Sequence, residues 1–272
     1  MHSTLRLGLA GLLCASSLAH AEIQTREIPY TAADGTQLVA YHAYDDALEG
    51  PRPGILVVHE WWGLNDYAKF RARELAKLGY SALAVDMYGE GRTAEHPKEA
   101  MAFMQAATTK AEIASNRFQA GLDLLKAQPQ TDAERIGAIG YCFGGKVVLD
   151  MARQGLPLAG VVSFHGALMP AVRATPGSIK ARILVEHGAD DSMITAEQIA
   201  AFKAEMDEAG ADYRFVSLPG ARHGFTNPDA DAHRGHGLDV AYQKEADERS
   251  WQDMREFFAE LFGGEPAASA QR

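Results

Sequence analysis

The chain has 272 residues, of which 47% are hydrophobic and 23% charged, as in a globular protein with one sizeable core. Its formal charge is −10, and the sequence has no run of lysine or arginine. Nucleic acid and anionic membranes would repel such a chain at long range, so we expect neither as a partner.

The first 21 residues have the pattern of a cleaved secretory signal. Arg6 precedes an apolar stretch over residues 7–18, and residues 19–21 read A-H-A. The apolar stretch is short for a permanent membrane-spanning helix. We expect cleavage after Ala21, export to the periplasm or the medium, and one mature domain over residues 22–272. An uncleaved anchor or a mis-assigned start codon is the alternative.

Signal removal changes the cysteine count. It takes away Cys14 and leaves Cys142 as the only cysteine. One thiol cannot form a disulfide within its own chain. Cys142 is therefore predicted to be a free thiol, acting either as a buried small hydrophobic residue or as a nucleophile.

The predicted elements alternate between strands and helices along the mature chain. Residues 23–44 read as two strands joined by a turn at Asp34 and Gly35. Further strands are predicted over residues 55–58, 81–85, 135–141, 159–164, 181–186 and 213–217, and helices over 66–78, 94–127, 144–154, 196–209 and 238–262. This alternation predicts a mostly parallel sheet with helices on both faces and an antiparallel N-terminal hairpin.

Working residues of open α/β sheets gather at the carboxyl ends of the strands. One of these ends carries the segment GYCFGG, which fits the nucleophile elbow G-x-S-x-G with Cys142 in the place of serine. Gly140 and Gly144 suit this turn because larger side chains there would clash. The elbow also places Cys142 at a helix N-terminus, where the dipole favours a thiolate.

An elbow nucleophile needs an acid and then a histidine further along the chain. The segment EHGADDSMI ends a strand and supplies Asp191, with Asp190 as the neighbouring alternative. His223 follows the last core strand in the segment LPGARHGF. The order Cys142, Asp191, His223 predicts nucleophilic acyl transfer, in which Asp191 orients the imidazole and His223 moves the proton.

Five segments carry a resemblance to a known family. They are VVHEWWG, AVDMYGEGR, GYCFGGKV, HGADDSM and PGARHGF, in order between residues 57 and 225. They resemble the dienelactone hydrolase family, also called carboxymethylenebutenolidases, over nearly all of the mature chain. The resemblance implies an α/β-hydrolase fold and a Cys-His-Asp triad of Cys142, His223 and Asp191.

The resemblance also implies roles for residues around the triad. Glu60 would hold the resting thiol and help substrate activate it, and the N–H groups of Trp61 and Phe143 would form the oxyanion hole. A carboxylate directly after the apolar run ILVV is costly unless it is paired or at the polar rim of the sheet. Glu60 is thus either a site residue or a residue that caps a loop or forms a salt bridge there.

Three residues are predicted to bind substrate. Arg92 matches the family's position for gripping a substrate carboxylate, although a solvated loop arginine is the alternative. Trp62 is expected to form a pocket wall, and Tyr88 completes this set. The family's second arginine falls at Asn227, so one carboxylate clamp is missing and strict dienelactone specificity is in doubt.

We expect no metal and no cofactor. His233 and His236 form the segment HRGH without a third ligand, which is typical of a polar surface loop. The segment HEWWG lacks the second histidine of the H-E-x-x-H zinc motif, because Gly63 stands in its place. A phosphate-binding glycine loop with its lysine is also missing from the sequence.

Together these features predict an exported hydrolase of small esters or lactones. A broader carboxylesterase or a peptidase on the same fold is one alternative. A binding or redox-sensing protein that uses Cys142 without catalysis is another. The partner in the leading hypothesis is a small-molecule ester or lactone, and the sequence leaves the oligomeric state open.

Overall fold

The computed structural model describes residues 22–264, so the predicted signal over residues 1–21 lies outside the described residues. Eight strands form one sheet in the order β1-β2-β4-β3-β5-β6-β7-β8. The strands are β1 (Ile23–Thr31), β2 (Gln37–Asp45), β3 (Arg52–Val58), β4 (Ser81–Val85), β5 (Thr131–Tyr141), β6 (Gly160–Phe164), β7 (Arg182–Gly188) and β8 (Tyr213–Leu218).

Strand direction follows the prediction from the sequence. β1 pairs with β2 in an antiparallel hairpin, and β2 pairs with β4 in the same sense. All pairs from β4 through β3 to β8 are parallel. The hairpin turn is stabilised by Asp34, whose carboxylate accepts a hydrogen bond of 2.9 Å from Thr36 N. The predicted mostly parallel sheet with an antiparallel N-terminal hairpin is therefore confirmed.

Six α-helices between residues 22 and 264 cover both faces of this sheet. They are α1 (Asp66–Lys77), α2 (Pro97–Thr108), α3 (Ala111–Lys126), α4 (Phe143–Arg153), α5 (Ala196–Ala209) and α6 (Lys244–Phe262). Leu75 of α1 and Phe258 of α6 share one buried cluster. Phe118 of α3, Val148 of α4 and Phe202 of α5 share the cluster on the other face. Within residues 22–264, each helix is too short or too polar to cross a bilayer.

Two predicted helices have different bounds in the structure. The region 94–127 is split into α2 and α3, because Lys110 adopts an extended backbone. The hydroxyls of Thr108 and Thr109 bond back to carbonyls one turn earlier, which suits a helix end. The last helix begins at Lys244 rather than at residue 238. Residues 238–243 instead run beside the loop of His223, to which Val240 is bridged.

Glu186 on β7 is a fully buried carboxylate that the predicted site does not use. Within residues 22–264, both of its carboxylate oxygens are without a hydrogen-bond partner. Burial, together with the negative charge of Asp253, raises the pKa of Glu186 to about 9, against the opposing effects of Arg214 and Arg249. The side chain is therefore protonated at neutral pH.

Replacing Glu186 with glutamine should flatten the dependence of stability on pH. A carboxyl group whose pKa is higher in the folded state than in the unfolded state stabilises the fold at low pH. That contribution is lost as pH rises from about 4.5 to about 9, by about 1.4 kcal/mol per pH unit. Urea unfolding at pH 5 and pH 8 should therefore show Glu186→Gln gaining a few kcal/mol over wild type only at the higher pH.

The matched control is Glu95→Gln, because Glu95 is an exposed loop carboxylate. We expect this control to follow the wild-type pH dependence. An equal response of the two variants would contradict a protonated, buried Glu186.

Candidate active site

Cys142 occupies the turn between β5 and α4. Its backbone has a φ of 53°, in the left-handed region that a residue with a side chain rarely adopts. A Cβ on Gly140 would overlap the backbone of Gly144, and a Cβ on Gly144 would overlap the carbonyl oxygen of Val58. The two glycines are therefore required for the close approach of α4 to β5 and β3, as the elbow motif predicts.

The end of β6 holds the backbone of this turn. Cys142 N–H donates to the carbonyl of Phe164 at 3.0 Å and to Nδ1 of His165 at 3.1 Å. Since Nδ1 accepts, Nε2 of His165 carries the proton and donates to Thr226 Oγ1 at 2.8 Å. Burial lowers the pKa of His165, which keeps the ring neutral. No motif or spacing in the sequence signals this contact.

His223 and Asp191 form a buried pair at the ends of β8 and β7. Nδ1 of His223 lies 2.9 Å from Oδ2 of Asp191. The other oxygen of Asp191 accepts a hydrogen bond of 2.9 Å from Met193 N. The neighbouring Asp190 is exposed and its carboxylate is not part of this pair. The geometry thus favours Asp191 over Asp190 as the partner of the imidazole.

The electrostatic surroundings of His223 favour its charged form. Burial acts to lower the pKa of the imidazole, but the charge of Cys142 and hydrogen bonds with Asp191 and Cys142 outweigh it. The pKa of His223 is consequently raised well above its usual value near 6.5. This arrangement suits a proton shared between the thiol of Cys142 and the imidazole.

Glu60 follows β3 and is bound by Asn227. Nδ2 of Asn227 donates to Oε2 of Glu60 at 2.7 Å, and Oδ1 of Asn227 accepts from Asp229 N at 3.0 Å. Burial raises the pKa of Glu60 to about 7, against the opposing effects of the Asn227 hydrogen bond and of His223. Glu60 therefore titrates near neutral pH. The sequence identified Asn227 as a departure from the family but did not predict its contact with Glu60.

A cavity of about 370 Å³ joins these groups. Cys142, His223, Glu60 and Asn227 all line it. Three other residues predicted for the site also contribute to its walls, namely Trp61, Trp62 and Phe143. The structure therefore brings most of the predicted site residues together around one space large enough for a small organic molecule.

Trp62 packs against the short 3₁₀ helix Ala230–His236. Its indole stacks on the ring of His233, with centroids 4.0 Å apart and an angle of 17° between the planes. His233 also lines the cavity, so this stacked pair forms one of its walls. In the part of the chain that the structure describes, neither His233 nor His236 belongs to a group of three or more possible metal ligands.

The predicted oxyanion hole lies where two segments meet. Gly144 N–H donates to the carbonyl of His59 at 3.1 Å, which holds the start of α4 against the loop that follows β3. Trp61 and Phe143 lie on these two segments. Tyr88 is buried and does not line the cavity, but its hydroxyl donates to the carbonyl of Trp61 at 3.1 Å. Tyr88 thus supports the loop that carries Trp61.

Arg92 lies apart from the cavity lining. Its guanidinium donates to the carbonyls of Gly89 at 3.1 Å and Tyr88 at 2.8 Å, and it stands over the ring of Phe103. These contacts hold the arginine on its own loop. Binding of a substrate carboxylate by Arg92 stays a prediction, and the geometry offers it no direct support.

Comparison with known proteins identifies related sequences. The model of the dienelactone hydrolase family matches residues 38–262. A protein of Methylorubrum extorquens strain AM1 named "Putative carboxymethylenebutenolidase" is 29% identical over 243 residues, which is 85% of this chain and 79% of that protein. The similarity thus spans β2 to α6 and includes every predicted site residue.

Two solved structures are similar over most of the chain. A dienelactone hydrolase-like promiscuous phosphotriesterase from metagenomic libraries has a TM-score of 0.82 at 38% identity, covering 90% of this chain and 100% of its own. A protein named m3DLH has a TM-score of 0.83 at 40% identity, covering 88% and 99%. These similarities confirm the predicted α/β-hydrolase fold.

The hydrogen bond between Asn227 and Glu60 generates a prediction about titration. Asn227→Leu removes a donor that stabilises the Glu60 carboxylate, so the pKa of Glu60 should rise above about 7, by roughly one unit. A carbon NMR titration of the glutamate carboxyl groups measures this value. Glu60→Gln identifies the signal, since it removes the titrating group. An unchanged or lower pKa in Asn227→Leu would contradict the contact.

Proposed function

Because this chain belongs to the dienelactone hydrolase family, we propose that it hydrolyses small esters or lactones through a covalent acyl-enzyme on Cys142. Family membership and the related hydrolase structures make it a hydrolase. The single observation that carries the finer proposal is that His223, which is bonded to the buried Asp191, lines the same cavity as Cys142.

The first half-reaction forms a thioester. The Cys142 thiolate attacks the carbonyl carbon, and the negative charge that develops on the carbonyl oxygen is received by the N–H groups of Trp61 and Phe143. The tetrahedral intermediate then breaks its bond to the alkoxy oxygen. His223 gives its proton to this leaving oxygen, so an alcohol departs and a neutral imidazole remains. In a lactone, the leaving hydroxyl stays attached to the acyl group.

The second half-reaction consumes one water. Neutral His223 takes a proton from water as its oxygen attacks the thioester carbon. The second tetrahedral intermediate expels the Cys142 thiolate, the carboxylic acid leaves, and His223 is again protonated. Asp191 orients the ring throughout because it is bonded to Nδ1, which leaves Nε2 as the atom that exchanges the proton.

The compartment is part of the proposal. The signal-like pattern over residues 1–21 supports export, and the same segment contains the other cysteine of the sequence. Loss of that segment would leave Cys142 as an unpaired thiol outside the cytoplasm. Its position in a turn beside a deep cavity, half-buried rather than exposed, suits a thiol that is kept for catalysis.

Neutral phosphotriesters are a second candidate substrate. The relative that is 38% identical over 90% of this chain is described as a promiscuous phosphotriesterase. The thiolate would attack phosphorus, an aryloxide would leave, and water would then cleave the sulfur–phosphorus bond. We expect 4-nitrophenol release from diethyl 4-nitrophenyl phosphate that is lost in Cys142→Ala. Equal release by wild type and variant would reject this activity.

The two neighbouring aspartates provide a matched test of the triad. Asp191→Asn removes the charge bonded to Nδ1 of His223, so kcat/KM for 4-nitrophenyl butyrate should fall at least about 100-fold. Asp190→Asn changes an exposed carboxylate one residue away and should leave the rate near wild type. Both are measured by steady-state absorbance, with circular dichroism to check folding.

Two outcomes would contradict the proposal. One is an equal loss in the Asp190 and Asp191 variants. The other is full turnover in Cys142→Ala, because the acyl-enzyme would then be unnecessary.

A further inference from the structure

The walls of the cavity are predominantly apolar. Aromatic and aliphatic side chains enclose the space beside Cys142, among them Trp61, Trp62, Met104, Phe143, Leu238 and Val240. They come from the loop after β3, from α2, from the start of α4 and from residues 238–243. An acyl group that reaches Cys142 would therefore pack mainly against carbon.

One lysine lines the cavity, but its charge is already compensated. Lys146 lies one turn after Cys142 on α4 and forms a salt bridge with Asp150. The side chain of Asp150 is only 9% exposed and is also bound by Arg153. A substrate carboxylate would have to draw Lys146 away from a buried acid, so this lysine is a poor anion receptor.

The other cationic side chains near the cavity are also unavailable. Arg92 is held by backbone carbonyls outside the lining. Burial, followed by the neighbouring His236, lowers the pKa of His233, so its ring is uncharged at neutral pH. The charge of His223 is balanced by Asp191. The lining residues that the structure describes therefore present no uncompensated positive charge.

Asn227 contributes an uncharged polar group to the cavity lining. Its two amide atoms are held by Glu60 on one side and Asp229 N on the other, so its orientation is set. It is 3% exposed and brings no charge into the lining. Its partner Glu60 is the nearest ionisable group, and this group carries negative charge or none. A substrate carboxylate would meet repulsion here rather than attraction.

We propose that this cavity selects esters whose acyl group is uncharged and apolar, and that it rejects acyl groups bearing a carboxylate. This inference rests on the proposed acyl transfer to Cys142. Its physical basis is that a carboxylate loses hydration on entering an apolar cavity and gains no opposite charge in return. The apolar lining and the uncharged Asn227 are the specificity-determining features, whereas the pairing of Lys146 with Asp150 keeps that lysine from attracting a carboxylate.

A pair of matched esters tests the proposal. Mono-4-nitrophenyl adipate and its methyl ester have the same leaving group and acyl chain and differ in one terminal carboxylate. At pH 8 we expect kcat/KM for the methyl ester to exceed that for the free acid by at least about 100-fold. Equal values, or a preference for the free acid, would overturn the proposal.

Lys146→Met provides the control for charge. If Asp150 masks the lysine, the ratio between the two esters should stay within about twofold of wild type. A selective fall in turnover of the free acid would show that Lys146 receives the carboxylate, which would overturn the proposal.

The same two esters give a different result if the proposed acyl transfer to Cys142 does not occur. In that case 4-nitrophenol release from both esters would be the same in wild type and in Cys142→Ala. Release that depends on Cys142 but favours the free acid would leave acyl transfer standing and remove only the inferred selectivity.

Discussion

The site depends on the strained backbone at Cys142. A positive φ on a residue with a side chain costs about 1–3 kcal/mol, and it persists only where the surroundings impose it. Here the carbonyl of Phe164 and the ring of His165 hold Cys142 N, while Gly140 and Gly144 allow α4 to approach. These contacts at the centre of the sheet thus hold the strained backbone that places the thiol of Cys142 in the cavity lining.

The same constraint extends through the sheet to the helices on its other face. His165 donates to Thr226 Oγ1, which also accepts from the hydroxyl of Tyr67 at 2.7 Å. Arg71 on α1 donates to the carbonyl of Thr226 at 2.7 Å and forms a buried salt bridge with Asp247 on α6. Thr226, which bonds His165, directly precedes Asn227, and its carbonyl is held by Arg71, which is bound in turn by Asp247 of α6. Contacts with α1 and α6 thus hold the residue next to the partner of Glu60.

How much the sequence predicts depends on whether a feature is local. Short segments of the sequence predict the strands and the hairpin turn. The order of such segments along the chain predicts Cys142, Asp191 and His223 as site residues. The sequence predicts one helix across the break at Lys110, because the residues on both sides of it have helical periodicity. The start of the last helix was misplaced because residues 238–243 pair with the His223 loop, a tertiary contact that periodicity does not record.

The contacts that the sequence did not reveal join distant positions. Glu60 and Asn227 are 167 residues apart, and Cys142 and His165 are 23 apart, so neither pair has a spacing signature. The contact of Cys142 with His165 follows from the pairing of β5 with β6, whereas the contact of Glu60 with Asn227 joins loops that follow β3 and β8, two strands that are not neighbours in the sheet. Helix periodicity and turn motifs predict the elements, whereas the partners of polar side chains follow only from how the strand ends meet.

Burial alone would make Glu60 and His223, two ionisable side chains of the cavity lining, neutral, and their partners decide the charge of each. Glu60 has an amide for a partner and its pKa rises to about 7, so it loses its charge easily. His223 has Asp191 and Cys142 as partners, so its pKa rises despite burial and it keeps its proton. The two groups of one cavity therefore differ in charge, because burial outweighs the opposing partners at Glu60, whereas the partners of His223 outweigh burial. In the proposed reaction, the imidazolium would supply the leaving group with a proton at a pH where a buried histidine without such partners would have none to give.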